Sequence, residues 1–224
     1  MLLHALCIGL SLFAAAKTLP ISSQGAPPAP AKISTEVCLL TLRGSEAKPY
    51  QAQLSDFYGS FFREAPYHYY ASKEDWDRYI ASYVEEPFSV FILAIKEETL
   101  IAAAMGTPLG AASEKYRAGF AGQEEDLASL FYLGELAVQG GYRNHGLGTM
   151  IYMLFEGAVR RDPCFSAICL WQLASESCEA SGVFWEKKGF NLEPHLHFQE
   201  LWRENLDKRT PKIPHEMVGW KKYF

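Results

Sequence analysis

Two patterns of apolar residues alternate along the chain: short, near-continuous runs, and longer stretches in which apolar residues return every three or four positions. Residues 36–42 (EVCLLTL) form the first run and predict a strand. Leu54, Phe57, Tyr58, Phe61 and Phe62 then fall at i, i+3, i+4, i+7 and i+8, the stripe of an amphipathic helix. Ser72-Lys73-Glu74-Asp75 has the form of a capping box, and Trp76, Tyr79, Ile80 and Tyr83 continue it as a second helical stripe. An aromatic connection, Pro66-Tyr67-His68-Tyr69-Tyr70, lies between the two helices. Residues 89–95 (SVFILAI) and 100–105 (LIAAAM), separated by Lys96-Glu97-Glu98-Thr99, predict a hairpin of two strands buried on both faces.

Residues 107–129 are irregular, rich in Gly and Ala, and contain the acidic run Glu124-Glu125-Asp126. Residues 130–138 (LFYLGELAV) read as a strand, followed by a glycine-containing turn and a helical stripe of Leu147, Ile151, Leu154, Phe155 and Ala158. A further strand at 167–173 (AICLWQL) completes a strand, turn, helix, strand unit, in which the helix supplies the crossover that parallel strands need. Residues 177–188 predict a late helix stopped at Gly189. From Asn191 the pattern is mixed until a closing strand at 217–223 (MVGWKKY). This order describes a mixed α/β single domain.

Composition narrows the picture. The chain has 224 residues, 49% hydrophobic and 14% aromatic, enough buried surface to offset chain entropy, so disorder is excluded over most of the length. A net charge of -5 with scattered Lys and Arg argues against a nucleic-acid binder. The first 33 residues hold only Lys17 and Lys32 as charges, leaving 19 basic and 26 acidic residues, or -7, for the rest; that acidity favours cationic small molecules or basic peptides. Residues 2–16 are apolar but shorter than the roughly 20 residues of a membrane-spanning helix. With Ala14-Ala15-Ala16 before Lys17 they have the form of a secretory signal at 1–16, although no Lys or Arg precedes the apolar core. A misplaced start codon and a loose apolar tail remain open. Pro20, Pro27, Pro28 and Pro30 mark a linker, so residues 1–33 divide from a folded domain at 34–224. Cys38, Cys164, Cys169 and Cys178 show no CxxC spacing, and both bridges and buried thiols fit.

The chemistry concentrates in Gly140-Gly141-Tyr142-Arg143-Asn144-His145-Gly146-Leu147-Gly148-Thr149. Free N–H groups at a helix start suit a phosphate, and glycines let its oxygens approach. No Lys-Ser or Lys-Thr follows the last glycine, and the glycines do not run GxGxxG, so neither the nucleotide-triphosphate loop nor the dinucleotide loop fits. Arg143-x-x-Gly146-x-Gly148, after a strand ending Leu136-Ala137-Val138, resembles the acyl-CoA pyrophosphate loop of the GNAT superfamily of N-acetyltransferases. Val183-Phe184-Trp185-Glu186-Lys187-Lys188-Gly189-Phe190 is similar to that family's late helix, of the form Phe-Tyr-Glu-Lys-x-Gly-Phe, and the element order agrees.

The resemblance implies a mixed, mostly antiparallel sheet of six to seven strands flanked by about four helices. It also implies acetyl-CoA as co-substrate, no metal, and transfer of the acetyl group to a primary amine of a small molecule or peptide. The cofactor would be held by Leu136, Ala137, Val138, Arg143, Asn144, His145, Gly146, Leu147, Gly148, Thr149 and Trp185, its pantetheine arm bonding the backbone of Leu136 and Val138 in a gap before the strand at 167–173. An amine must lose a proton to attack, and Glu135 is the candidate base; alternation puts Glu135 and Ala137 on one strand face, and a structural acceptor is its other reading. Two residues depart from the family. Trp185 stands where many members carry a Tyr that protonates the leaving thiolate, and an indole N–H is too weak an acid for that; Cys178 replaces a common Asn. Ser177, Cys178, Ser181 or solvent are the alternatives. A catalytically weak acyl-CoA-binding module with the same fold is the competing function. A cytosolic cofactor favours a cytoplasmic location, against the signal-like residues 1–16. Tyr67 to Tyr70 and Glu124 to Asp126 are expected to flank an aromatic, acidic acceptor pocket. His195 and His197 could share a strand face but lack a third metal ligand, so packing or surface exposure is expected of them.

Overall fold

The computed structural model describes residues 37–120, 126–175, 178–204 and 210–224. The signal-like and linker segments, Glu124, Glu125 and Ser177 therefore lie outside the described residues. Seven strands form one sheet in the order β1-β2-β3-β4-β5-β7-β6, with β1 Cys38–Arg43, β2 Val90–Lys96, β3 Thr99–Pro108, β4 Leu130–Val138, β5 Ala167–Leu173, β6 Asn191–Trp202 and β7 Ile213–Tyr223. All neighbours are antiparallel except β4 and β5. Five α-helices flank the sheet among the described residues: α1 Gln51–Phe61, α2 Lys73–Val84, α3 Glu114–Ala118, α4 Leu147–Arg160 and α5 Glu179–Lys187.

Alternation in the central strands sorts their side chains between two cores. Val90, Ile92 and Ala94 of β2 pack with Leu147, Ile151, Tyr152 and Phe155 of α4 and with Trp185 of α5. Phe91 and Leu93 point the other way, into a cluster with Leu54 and Tyr58 of α1 and Trp76, Ile80 and Tyr83 of α2. The Ser72 capping box is formed, its hydroxyl accepting from the Asp75 N–H at 3.2 Å.

Two expectations need correction. Leu154 is exposed, and its place on the buried stripe is taken by Tyr152, which lies one turn after Gly148 and meets Phe184, Trp185 and Phe190. The mixed tail from Asn191 is strand β6. It lies at the sheet margin, where one side of the ladder has no partner strand among the described residues and its register with β7 slips between Glu193 and His197, so a regular apolar alternation never develops.

A second irregularity positions the chemistry. In the β3–β4 ladder Met105 faces Glu135 and Gly106 faces Leu133, which leaves Gly134 as an extra residue, a β-bulge. Phe131 and Leu133 before it, and Leu136 and Val138 after it, all pack on the α4 side. Without the extra residue, alternation would carry Glu135 onto that same side. The bulge instead turns Glu135 to the face bearing α2. A Cβ at Gly134 would sit 2.3 Å from the Tyr83 hydroxyl, so only glycine fits there unshifted.

Candidate active site

The strands β4 and β5 pair only over Leu130 to Tyr132 and Ala167 to Cys169, and then diverge. The Gln139 N–H donates to the Ile101 carbonyl at 2.9 Å while Ala102 faces Val138. In an antiparallel ladder that phase directs the N–H and C=O of Val138, and of Leu136 two residues earlier, away from β3 and into the gap. Ala137 has the opposite phase: its polar groups meet β3 and its methyl lies in the α1–α2 core, so it offers the gap nothing. The Val138 carbonyl accepts the Arg143 Nε–H at 2.9 Å.

Past β4 the chain turns through a short 3-10 segment, Gly140–Tyr142, and starts α4. Gly146 is the N-cap at φ +79, the left-handed region that glycine enters without strain, and no side chain caps the helix. The N–H groups of Leu147, Gly148 and Thr149 in the first turn thus lack helical acceptors. A Cβ added at Gly140, Gly141 or Gly146 would meet nothing within 4 Å, and one at Gly148 would find Val138 Cγ2 at 3.6 Å. These glycines leave an open cradle around free N–H groups, which fits a pyrophosphate.

The turn's other residues divide their work. Leu147 buries its side chain in the α4 core and offers only backbone. Asn144 holds φ +63, and His145 Nδ1 lies 2.7 Å from the Arg143 carbonyl, tying the turn together. The Arg143 guanidinium rests over the Phe61 ring at 5.2 Å and 3.8 Å from Glu64, so it braces the turn against α1 and the segment after it.

One cavity of about 410 Å³ runs from this turn to the far side of the sheet. It is lined by Gly148, Val138, Phe184 and Trp185 near the turn, by Leu136 and Glu135 of β4, and by aromatic side chains that include Trp76 of α2, Trp171 of β5 and Trp202 of β6. Trp185 packs edge-on to Tyr152 and Phe190, a wall of the cleft as its chemistry implies. Ser181 reaches the cavity, but its hydroxyl donates to the Cys178 carbonyl at 3.0 Å, and Cys178 is buried.

Glu135 accepts a 3.0 Å hydrogen bond from the Tyr79 hydroxyl, which lies 3.0 Å from that of Tyr83. Desolvation pushes the Glu135 carboxyl up to about 8; the Tyr79 bond opposes that shift, Glu200 adds to it, and Lys115 counters it. Burial raises the Tyr79 hydroxyl well above its ordinary range, so Tyr79 stays a donor across neutral pH. A carboxyl titrating near 8 is poised to take a proton from an ammonium.

The acceptor side differs in part from the expectation. Tyr67 and Tyr69 line the cavity as expected. Asp126, the described member of the acidic run, instead accepts from the Ala128 N–H at 3.0 Å and caps a 3-10 turn. The carboxylates in the cavity wall besides Glu135 are Asp75 and Glu200, and Glu200 is ion-paired with Lys115. Tyr79, Lys115, Glu200 and Trp202 escaped the sequence reading. Tyr79 was visible only as one position of a core stripe, while Lys115 and Glu200 are 85 residues apart with no local signal. His195 and His197 are exposed on β6, and no group of three metal-capable side chains exists among the described residues.

No protein-family model and no curated protein sequence matches the chain. Solved structures do. Ribosomal-protein-alanine N-acetyltransferase from Brucella melitensis is similar at a TM-score of 0.56 and 13% identity, over 83% of this chain and 99% of that one. NAA60 of Arabidopsis thaliana, solved with acetyl-CoA, gives 0.56 and 13% over 84% and 98%. A GNAT-family acetyltransferase from Staphylococcus aureus gives 0.54 and 14% over 83% and 98%. These likenesses are of fold.

Proposed function

With the GNAT acyl-CoA N-acyltransferase fold as premise, we propose that the chain is an acetyl-CoA-dependent N-acetyltransferase acting on a primary amine of a small molecule or peptide. The observation that carries this reading is the single cavity joining an open, uncapped helix start to a carboxyl poised near 8.

Bound acetyl-CoA supplies an activated thioester. Gly146, Leu147, Gly148 and Thr149 would receive its pyrophosphate on free N–H groups, and Leu136 and Val138 would bond its amide arm as a strand edge does. The gap-facing N–H groups of β4 polarise the thioester carbonyl and stabilise the charge that grows on its oxygen. Glu135 takes the proton released as the amine attacks, and Tyr79 fixes its carboxyl. Holding both reactants in one cleft supplies much of the rate. Among the described residues, the Ser181 hydroxyl is committed to the Cys178 carbonyl and does not stand in for the missing Tyr at Trp185. Solvent is then the proton source for the departing thiolate in this reading, a thiol being a much stronger acid than an alcohol or an indole N–H. A cytosolic co-substrate favours a cytoplasmic location for the enzyme, against the signal-like residues 1–16.

The test is release of free CoA thiol by the purified chain from acetyl-CoA with a panel of primary amines. Amine-dependent release, with one acetylated product per thiol, is the expected result. Tight CoA binding without release would favour the non-catalytic module.

A further inference from the structure

The far end of the cavity is built mostly of rings. Tyr69, Trp76, Tyr116, Tyr132, Trp171 and Trp202 all line it. Tyr69 is edge-on to Trp76 at 5.9 Å and to Trp202 at 5.8 Å, and Tyr116 lies 4.8 Å from Tyr132. Such ring walls hold a flat, electron-rich body by stacked and edge contacts and accept a cation on their faces.

Across this end the β6–β7 hairpin is fastened to the α1–α2 connection. The Trp202 indole N–H donates to the Tyr67 carbonyl at 3.2 Å, and the Tyr70 N–H donates to the Arg203 carbonyl at 3.3 Å. Trp202 is itself fixed by a stack on His215 at 3.5 Å. These ties form a strap over the acceptor side. An extended peptide presents backbone groups that need an open, polar groove, whereas here the hairpin and the connection are tied together and the lining is mostly aromatic. Beneath the strap, Glu135 and Tyr79 mark where the amino group must reach, and the Glu200–Lys115 pair and Asp75 are the other charged features of the lining.

We propose that the acceptor is a small arylalkyl amine, its ring held among Tyr69, Trp76 and Trp202 and its amino group at Glu135, and that polypeptide amines are excluded by the strap. This rests on the acetyltransferase reading and narrows its substrate class.

The experiment compares kcat/KM of the full chain with acetyl-CoA and three amines: 2-phenylethylamine, its saturated isostere 2-cyclohexylethylamine, and a tetrapeptide with a free N-terminus. Two ring contacts correspond to a preference on the order of tenfold for the aromatic amine over the isostere. The tetrapeptide is expected to be poorer than either. Trp202→Leu, which removes a ring and one tie of the strap, is expected to abolish the aromatic preference while leaving acetyl-CoA binding unchanged. Tyr69→Leu, outside the strap's hydrogen bonds, provides the same readout if Trp202→Leu does not fold. Equal rates for the two small amines, a tetrapeptide that matches them, or no turnover of any amine would overturn the proposal. Acetyl-CoA binding measured alongside separates the two failures: binding retained with the wrong preference sinks the acceptor class alone, and binding absent sinks the acetyltransferase reading itself.

Discussion

In the proposed mechanism, Glu135 carries opposite demands from catalysis and stability. As a base it acts ionised, so kcat/KM should rise with pH through about 8, the value to which burial lifts its carboxyl. Tyr79→Phe removes the hydrogen bond that favours the carboxylate, and the rising limb should move to higher pH. Glu135→Gln should lower kcat by about 10² to 10⁴, the usual contribution of a general base, without weakening acetyl-CoA binding. The sign for stability is the reverse. The folded state holds the proton up to about 8 while the unfolded chain releases it near the ordinary carboxyl value, so the carboxyl's contribution falls as pH rises between the two. Thermal melts from pH 5 to 9 should show Glu135→Gln gaining on the wild type as pH increases; a constant difference would contradict the buried-carboxyl account.

The β-bulge in β4 and the glycine start of α4 are the elements on which the site depends. Gly134→Ala puts a methyl against the Tyr83 hydroxyl and should destabilise by about 1 to 3 kcal/mol in denaturant titration, with kcat falling because Glu135 shifts too. Gly146→Ala forces a Cβ into the left-handed region and should cost about 1 to 2 kcal/mol. Much at this scale was legible from sequence. The run at 130–138, the turn, the stripe from Leu147 and the run at 167–173 each obey one period, and together they gave β4, α4 and β5 and the parallel pair. Glu135 and Ala137 share a face as alternation requires, but which face was hidden, because a bulge adds one residue and leaves only an unexplained Gly134 behind. β6 was hidden by its marginal place in the sheet, and Leu154 by a stripe wide enough for either it or Tyr152.

For the whole molecule, the two cores on either side of the sheet draw on residues from Val37 onward among those described. We expect a chain of residues 34–224 to melt within a few degrees of the full-length protein and to keep its acetyl-CoA affinity. The pairings that join distant segments, Lys115 with Glu200 and Trp202 with Tyr67, could not be read from periodicity, because they depend on which segments the fold sets beside β6. Everything proposed for the site requires that the open helix start at Gly148 hold acetyl-CoA. The direct measurement is the melting temperature of the wild type and of Gly148→Val with and without acetyl-CoA. A Cβ at Gly148 meets only ordinary contacts, so the variant should fold while its larger side chain fills the cradle. Ligand at about a hundred times its Kd contributes about 2.7 kcal/mol to a binding-competent fold, a rise on the order of 5 to 10 °C for a domain of this size. That rise is expected in the wild type and its loss in Gly148→Val; an equal rise in both, or none in the wild type, would contradict acetyl-CoA binding at this helix start.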